Sequence, residues 1–379
     1  MSNTAVTSAQ SRGGISFTPE QVHAFRLRRH HLVDPKGVDL LTICGDLCGV
    51  QAQMMSAAHL QLWARNPAIT PAIVREALWQ KRSLVKTLLM RQTLHLVLAA
   101  DFPLYLAAQK STRVRAVLAV MARLKITNDE ADSFSALILE TLNAGPMPHT
   151  AIASAVRPKV SKRVRSWMDK VSSCVRLPLV EGSICYGPGE GNQATFVRTD
   201  HWLPAHRVID EVQARAELLR RYLRAYGPAT LRDFAYWCGI SMTEARLVRP
   251  LLDAELMEQN GLMLLRADLA AMKMKPAHSA SVHLLPYFDV YLLAHSLKDH
   301  LIDSRFYKHV FRNQGWISPV VLIDGKIAGV WAYELGRKDI QVSIELFTRA
   351  ARGHRGAIRA RAQSLADLFQ RTLSFSFKT

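Results

Sequence analysis

The chain has 379 residues, 49% of them hydrophobic and 21% charged, which is the composition of a folded protein with ample core and excludes a disordered one. Its 49 Lys and Arg against 31 Asp and Glu leave a formal charge of +18, a field that draws polyanions such as nucleic acid. No apolar run reaches the roughly 18 residues a membrane span needs, and the opening MSNTAVTSAQSRGG lacks the apolar stretch of a signal peptide, so a cytoplasmic protein with a disordered tail over 1–14 is expected.

The first block, 15–125, opens at FTPEQVHAFRLRRHHL, where Thr18 can cap a helix, Pro19 suits its first position and Gln21 completes a capping box. Leu-rich helices are expected from there to about residue 125, with Thr70 and Pro71 repeating the same start signal. Within this block GVQAQMM places Gln51 and Gln53 two apart among apolar neighbours. Residues two apart diverge by about 200° on a helix but share a side in extended backbone. The two amides therefore converge only where the helix is broken, and Gly49 permits such a break. Further on, LLMRQTLHLV alternates Arg91, Thr93 and His95 with apolar residues, a strand-like or turn-like pattern that sets the three on one face. Cys44 and Cys48 lie four apart, but no second Cys/His pair follows at zinc spacing. The odd total of five cysteines, without a CxxC, fits reduced buried thiols.

The second block, 126–205, starts with a Thr127/Glu130 capping box, continues through the basic RPKVSKRVRSWMDKV and ends in two β-prone runs flanking GPGEG, the order of a winged helix. In the third, 206–275, a helix from about Thr230 ends at Gly239, Ser241 and Glu244 form a capping box for the next, and Asn260-Gly261 predicts a tight hairpin. The blocks starting at 126 and 206 look like weak repeats, each with Gly-Pro before a helix. From 276 to 379, apolar runs separated by Asp324-Gly325 and LGRKD predict a small antiparallel sheet, closed by a helix over about 357–373. Asp289, a carboxylate among aromatics, reads as a helix cap or a site group.

No P-loop, HExxH, GxGxxG or Ser-His-Asp order marks an enzyme. Arginines cluster at Arg26, Arg28 and Arg29, at Arg157, Lys159, Lys162, Arg163 and Arg165, and at Arg349, Arg352 and Arg355. Any one cluster reads equally as a solvated helix face, but several on candidate winged helices point to phosphates of duplex DNA.

The segments GVQAQMMSAAHLQLWAR, LVKTLLMRQTLHLV, YGPATLRDFAYWCGI and LLPYFDVYLLAH resemble, in that order, the winged-helix DNA glycosylases typified by bacterial AlkZ and YcaQ, and the resemblance covers nearly the whole chain beyond the tail. It implies a mainly α fold with small β wings (α+β): tandem winged-helix domains and a C-terminal antiparallel β-containing region, C-shaped around a basic channel. It also implies excision of N7-alkylated purines from double-stranded DNA, and in some members the unhooking of interstrand crosslinks. The paired catalytic positions fall on Gln51 and Gln53. The YcaQ-type branch carries Asp at the second position, so the chain resembles the AlkZ branch. Ala52 is smaller than the apolar residue typical of the motif. DNA contacts are expected from Arg65, Arg91, Thr93, His95, Arg157, Lys162, Arg163 and Arg165. Arg337 and Lys338, in the LGRKD turn, are the candidates for a hairpin across the channel, with GPGEGNQ as the rival. No metal or organic cofactor is implied, a monomer is expected, and DNA binding would place the protein on the nucleoid. The competing expectation is a non-enzymatic winged-helix regulator or architectural factor, which would bind duplex without releasing a base.

Overall fold

The computed structural model describes residues 17–33, 37–170, 174–190, 193–205, 207–274 and 280–378. The tail expected over 1–14 and the boundary expected at 276 lie outside them. Helices begin where a side chain can hold the free amides of the first turn. Thr18 and Gln21 close a reciprocal box at Pro19–Arg29, Thr127 and Glu130 do so at Asn128–Thr141, and Ser241 and Glu244 at Met242–Val248. Thr230 pairs in the same way with Asp233, a box whose acidic member the sequence reading passed over.

The Leu-rich helices expected through the first block are interrupted by strands, in keeping with the broken helix expected at Gln51 and the strand-like run expected through Arg91, Thr93 and His95. Between the helices Leu40–Asp46 and Phe102–Arg123 the chain forms a three-stranded antiparallel sheet, Val50–Gln51 pairing with Leu94–Leu98 and that strand with Leu84–Leu88. Gly49 makes it possible: its φ is +94, and a Cβ there would lie 2.7 Å from Val97 Cγ1 and 3.0 Å from the Leu96 carbonyl oxygen. Only glycine lets the chain turn this tightly against the neighbouring strand.

Helices Asn128–Thr141, His149–Val156 and Lys162–Lys170 lead to a second antiparallel sheet, in which Gln193–Arg198 lies between Met147–Pro148 and Ile184–Glu190. Phe134, Ile152, Trp167 and Val180 fill the core there, and positions 191 and 192 of the GPGEGNQ hairpin lie outside the described residues. Helices Glu211–Tyr226, Leu231–Cys238 and Met242–Val248 then precede the hairpin Leu256–Gln259/Leu262–Leu265, whose turn places Asn260 (φ 51) and Gly261 (φ 75) in the left-handed region, as a type I′ turn requires.

The C-terminal region is a five-stranded sheet with Leu285, Trp331, Val342 and Ile358 in its core. Two expectations are revised. The last helix is Arg355–Phe369, stopped by Gln370 in the left-handed conformation, and Thr372–Phe377 then adds a strand parallel to Asp339–Leu346. The alternation in TLSFSF is the signal that was missed, since a period of two cannot continue a helical face.

The first-helix arginines are structural. Arg26 donates to the carbonyls of Gly227 and Pro228, Arg28 to that of Ala271, and Arg29 pairs with Asp268, so this helix is fastened to the third block and its cluster is not a free basic face. Among the described residues no helix is long and apolar enough to cross a membrane.

Candidate active site

Val50 and Ala52 both enter one apolar core, which turns Gln51 and Gln53 to the opposite side of the extended segment. Small Ala52 fits because it is fully buried between strand and helices. The two amides differ in freedom. Gln51 is 4% exposed and its Oε1 accepts from Arg91 Nη2 at 2.9 Å. Gln53 is exposed, and its Oε1 accepts from the Leu94 amide at 3.4 Å, a long bond that holds it loosely. Arg91 and a backbone amide can only donate, which fixes the amide oxygens toward them.

Arg91 reaches Gln51 from a sharp turn in which both Arg91 and Gln92 have positive φ, 52° and 58°. Burial pushes its guanidinium pKa down, and its Nη1 is buried without a hydrogen-bond partner among the described residues. Unpartnered buried nitrogen next to a strained turn is the kind of exception that native structures confine to working sites.

Behind Gln51 the backbone is anchored by a residue the sequence reading missed. Gln61, fully buried on the helix Met55–Arg65, donates from Nε2 to the Gln51 carbonyl at 2.9 Å and accepts at Oε1 from the Val290 amide at 3.3 Å. One turn on, Arg65 grips Asp289 with two bonds of 2.8 Å, both side chains being wholly buried. Asp289 also caps the short helix Val290–Leu293, so it is the cap and the partner of Arg65 at once. Gln61 and Arg65, four apart in the otherwise apolar run LQLWAR, were the available signal, because buried polar groups demand partners.

Two residues expected to touch DNA therefore do not. Arg65 has no exposed surface and a complete buried partner in Asp289. His95 is 1% exposed, sits directly across the strand pair from Gln51, and donates from Nδ1 to the Thr93 carbonyl at 2.9 Å. Burial, and then the nearby Arg91 charge, lower its pKa to about 3, so the ring is neutral. Thr87 lies across the next strand pair, so Gln51, His95 and Thr87 form a row on one face of the sheet, and Thr87 Oγ1 and His95 Nε2 are buried without partners among the described residues. Thr93 is half-buried and its hydroxyl donates to the Met90 carbonyl.

The other predicted basic residues are at the surface. Arg337 and Lys338 are exposed at the tip between strands Lys326–Leu335 and Asp339–Leu346. Lys162, Arg163 and Arg165 are exposed on or beside the helix Lys162–Lys170; Arg163 pairs with Glu130 at 3.3 Å and Arg157 with Asp169 at 2.8 Å. Such exposed pairs are weak because water and salt screen them, so they leave these side chains available to other anions.

A buried Gln51 held by Arg91 thus lies beside an exposed Gln53, next to the three-stranded sheet. Residues 44–368 match the family model described as DNA glycosylase AlkZ-like. The chain belongs to that family. Among the relatives of this AlkZ-like glycosylase is the interstrand DNA cross-link repair glycosylase of Streptomyces sahachiroi, 29% identical over 328 residues, spanning 82% of this chain and 86% of the relative. The solved structure of the Streptomyces sahachiroi DNA glycosylase AlkZ superposes with a TM-score of 0.81 at 26% identity, over 94% of this chain and 98% of that one. The expected glycosylase class and mixed helical and antiparallel-sheet architecture are thus borne out.

Proposed function

We propose that this AlkZ-like glycosylase hydrolyses the N-glycosidic bond of N7-alkylated purines in duplex DNA, including interstrand crosslinks, with Gln53 and Gln51 as the catalytic pair. The observation that carries this reading is the contrast between the two amides: Gln51 held by Arg91 at 2.9 Å, and Gln53 exposed with a single weak bond. An N7-alkylpurine is already cationic, so its glycosidic bond is weakened and the departing base needs little protonation. What is left to supply is a placed water and dipoles that favour positive charge on the sugar. Gln53, loosely tethered, is free to take the water. Gln51, with its oxygen drawn to Arg91, is held in one orientation and helps to order that water. Glutamine is no strong base, so neutral purines are poor substrates.

In this reading Arg91 is a positioning residue. Lys162, Arg163, Arg165 and Arg157 contact phosphates, and Arg337 with Lys338 enters the duplex at the hairpin tip. The enzyme works as a monomer and is nucleoid-associated when bound to DNA. The relative's printed role in crosslink repair supports the inclusion of crosslinks.

The test is a duplex with one N7-methylguanine, scored for abasic sites. Wild type should release the base, and Gln53→Ala should lose on the order of 10² in single-turnover rate while still binding duplex. Unchanged excision by the variant would remove Gln53 from the mechanism.

A further inference from the structure

Away from the glutamines, the helix Pro19–Arg29, the start of the helix Leu231–Cys238 and the segment 295–300 enclose a cleft of about 610 Å³. One side chain in it lacks what its burial demands. Arg26 is 6% exposed, and its Nε and Nη2 donate to the carbonyls of Gly227 and Pro228, but its Nη1 is buried with no partner among the described residues. Of the other deeply buried arginines, Arg65 and Arg215 pair with carboxylates, Asp289 in one case and Glu211 and Glu244 in the other, while Arg113, like Arg26, bonds only to backbone carbonyls among the described residues. Among the described residues no carboxylate forms an ion pair with Arg26. A buried guanidinium without a counter-charge is strongly unfavourable unless something supplies one.

Asp233 is the only carboxylate lining the cleft among the described residues, and it is already engaged. Its two oxygens accept from the amides and hydroxyls of Thr230 and Ser296 at 2.6 to 3.0 Å, and it acts on Arg26 only through space. Three histidines gather on the same side: the His295 and His300 rings meet edge-on at 4.7 Å, and His23 stacks against His300 at 6.4 Å. His300 Nε2 is buried without a partner. All three rings are held neutral by burial first and by the Arg26 charge next, with His23 lowered to about 4 and His300 to about 3. With the rings neutral, Arg26 and Arg232 carry the positive charge of a cleft whose remaining wall includes the apolar Val22, Leu262 and Leu297.

We propose that this cleft binds a small organic oxyanion, with its charged head against the Arg26 and His300 side chains and its apolar body against Val22 and Leu297. An anion there supplies the missing counter-charge, and the neutral His300 in its Nε2–H form completes the donor set. The cleft is too large for a bare ion, and an apolar body fills the space that water would otherwise occupy.

The experiment is calorimetric titration of the full chain with phenyl phosphate, inorganic phosphate and phenol. Phenyl phosphate should bind at a single site with Kd below about 1 mM, and the headgroup alone and the neutral body alone at least about tenfold more weakly. Arg26→Gln should weaken phenyl phosphate about tenfold or more. Leu297→Trp, at a side chain 66% exposed on the rim, should do the same by filling the cleft, while excision by this variant stays at the wild-type rate. Should Arg26→Gln fail to fold, Leu297→Trp decides alone. Absence of saturable binding up to about 10 mM, or equal affinity in the variants, overturns the proposal. Competition by an unmodified duplex would assign the charge to backbone phosphate and overturn it as well; lack of competition supports a separate small-molecule site.

Discussion

The segment from Thr230 to Leu265 and the small sheet around Gln51 are built by opposite means. In the first, each local signal has its partner: Thr230 boxes with Asp233, Gly239 closes the helix in the left-handed conformation, Ser241 boxes with Glu244, and Asn260-Gly261 turns the hairpin. In the second, a two-residue strand hangs from a positive-φ glycine, Arg91 and Gln92 hold left-handed backbone, and Thr87, His95, Arg91 and Arg113 keep buried polar atoms without partners. Consistent local choices make a scaffold, while their violation is maintained only where the surroundings hold it in place and something is gained. In the function proposed above, the difference separates the parts that support from the part that acts.

Experiments can break or sharpen that distinction. The largest effect belongs to the support behind the site: Asp289→Ala leaves the Arg65 guanidinium buried and unpaired and should destabilise the fold by about 3–5 kcal/mol. Denaturant titration would read it, and a loss under about 1 kcal/mol would mean that Arg65 finds water instead. Next is Arg91→Met, which should lower the excision rate by about tenfold or more. If Arg91 acts through Gln51, the double variant with Gln51→Ala should be no slower than Gln51→Ala alone; additive losses would give Arg91 an independent role.

A pH effect follows in size. His95 titrates at about 3 when folded and near the ordinary 6.5 when unfolded, so below 6.5 the unfolded chain binds the extra proton. The stability that comes from keeping this ring neutral is complete above about 6.5 and is lost as pH falls toward about 3, at no more than about 1.4 kcal/mol per pH unit. His95→Gln should flatten the fall in melting temperature between pH 6.5 and 4.5, and an unchanged slope would show that the ring is solvated. The smallest effect is Ser241→Ala, which removes one cap in the consistent region: about 1 kcal/mol of stability by thermal melt, with excision unchanged. A large loss of excision there would bring that helix into the working part.

The same distinction decides what could be read from sequence. Capping boxes, the Asn260-Gly261 turn and the third block were legible because each depends on neighbours in the chain. The strand at Val50–Gln51 was legible only in part. Gly49 signalled a break, but the partner strand that makes the break useful starts more than forty residues later, at Leu94. Gln61 was invisible for the same reason, since its two partners, Gln51 and Val290, are distant in sequence. Arg65 was placed on DNA because arginine near a site suggests phosphate, and nothing local announced that Asp289, 224 positions away, would neutralise it. Gln51 and Gln53 were found from their spacing and from family resemblance together; the spacing alone states that they share a side and leaves their unequal tethering undetermined.

Gln61 and Arg65 also fix which parts of the molecule can open separately. The strand carrying Gln51 is bonded through Gln61 to the Val290 amide, and one turn later Arg65 holds Asp289, so the early sheet and the C-terminal region are stitched together beneath the glutamines. Fluctuations that release the Ala52 amide from the Leu94 carbonyl must also strain the helix start at Val290. Elements bonded together in this way tend to open as one cooperative unit, so the proposed site is expected to exchange its buried amides together with the C-terminal region and not by itself.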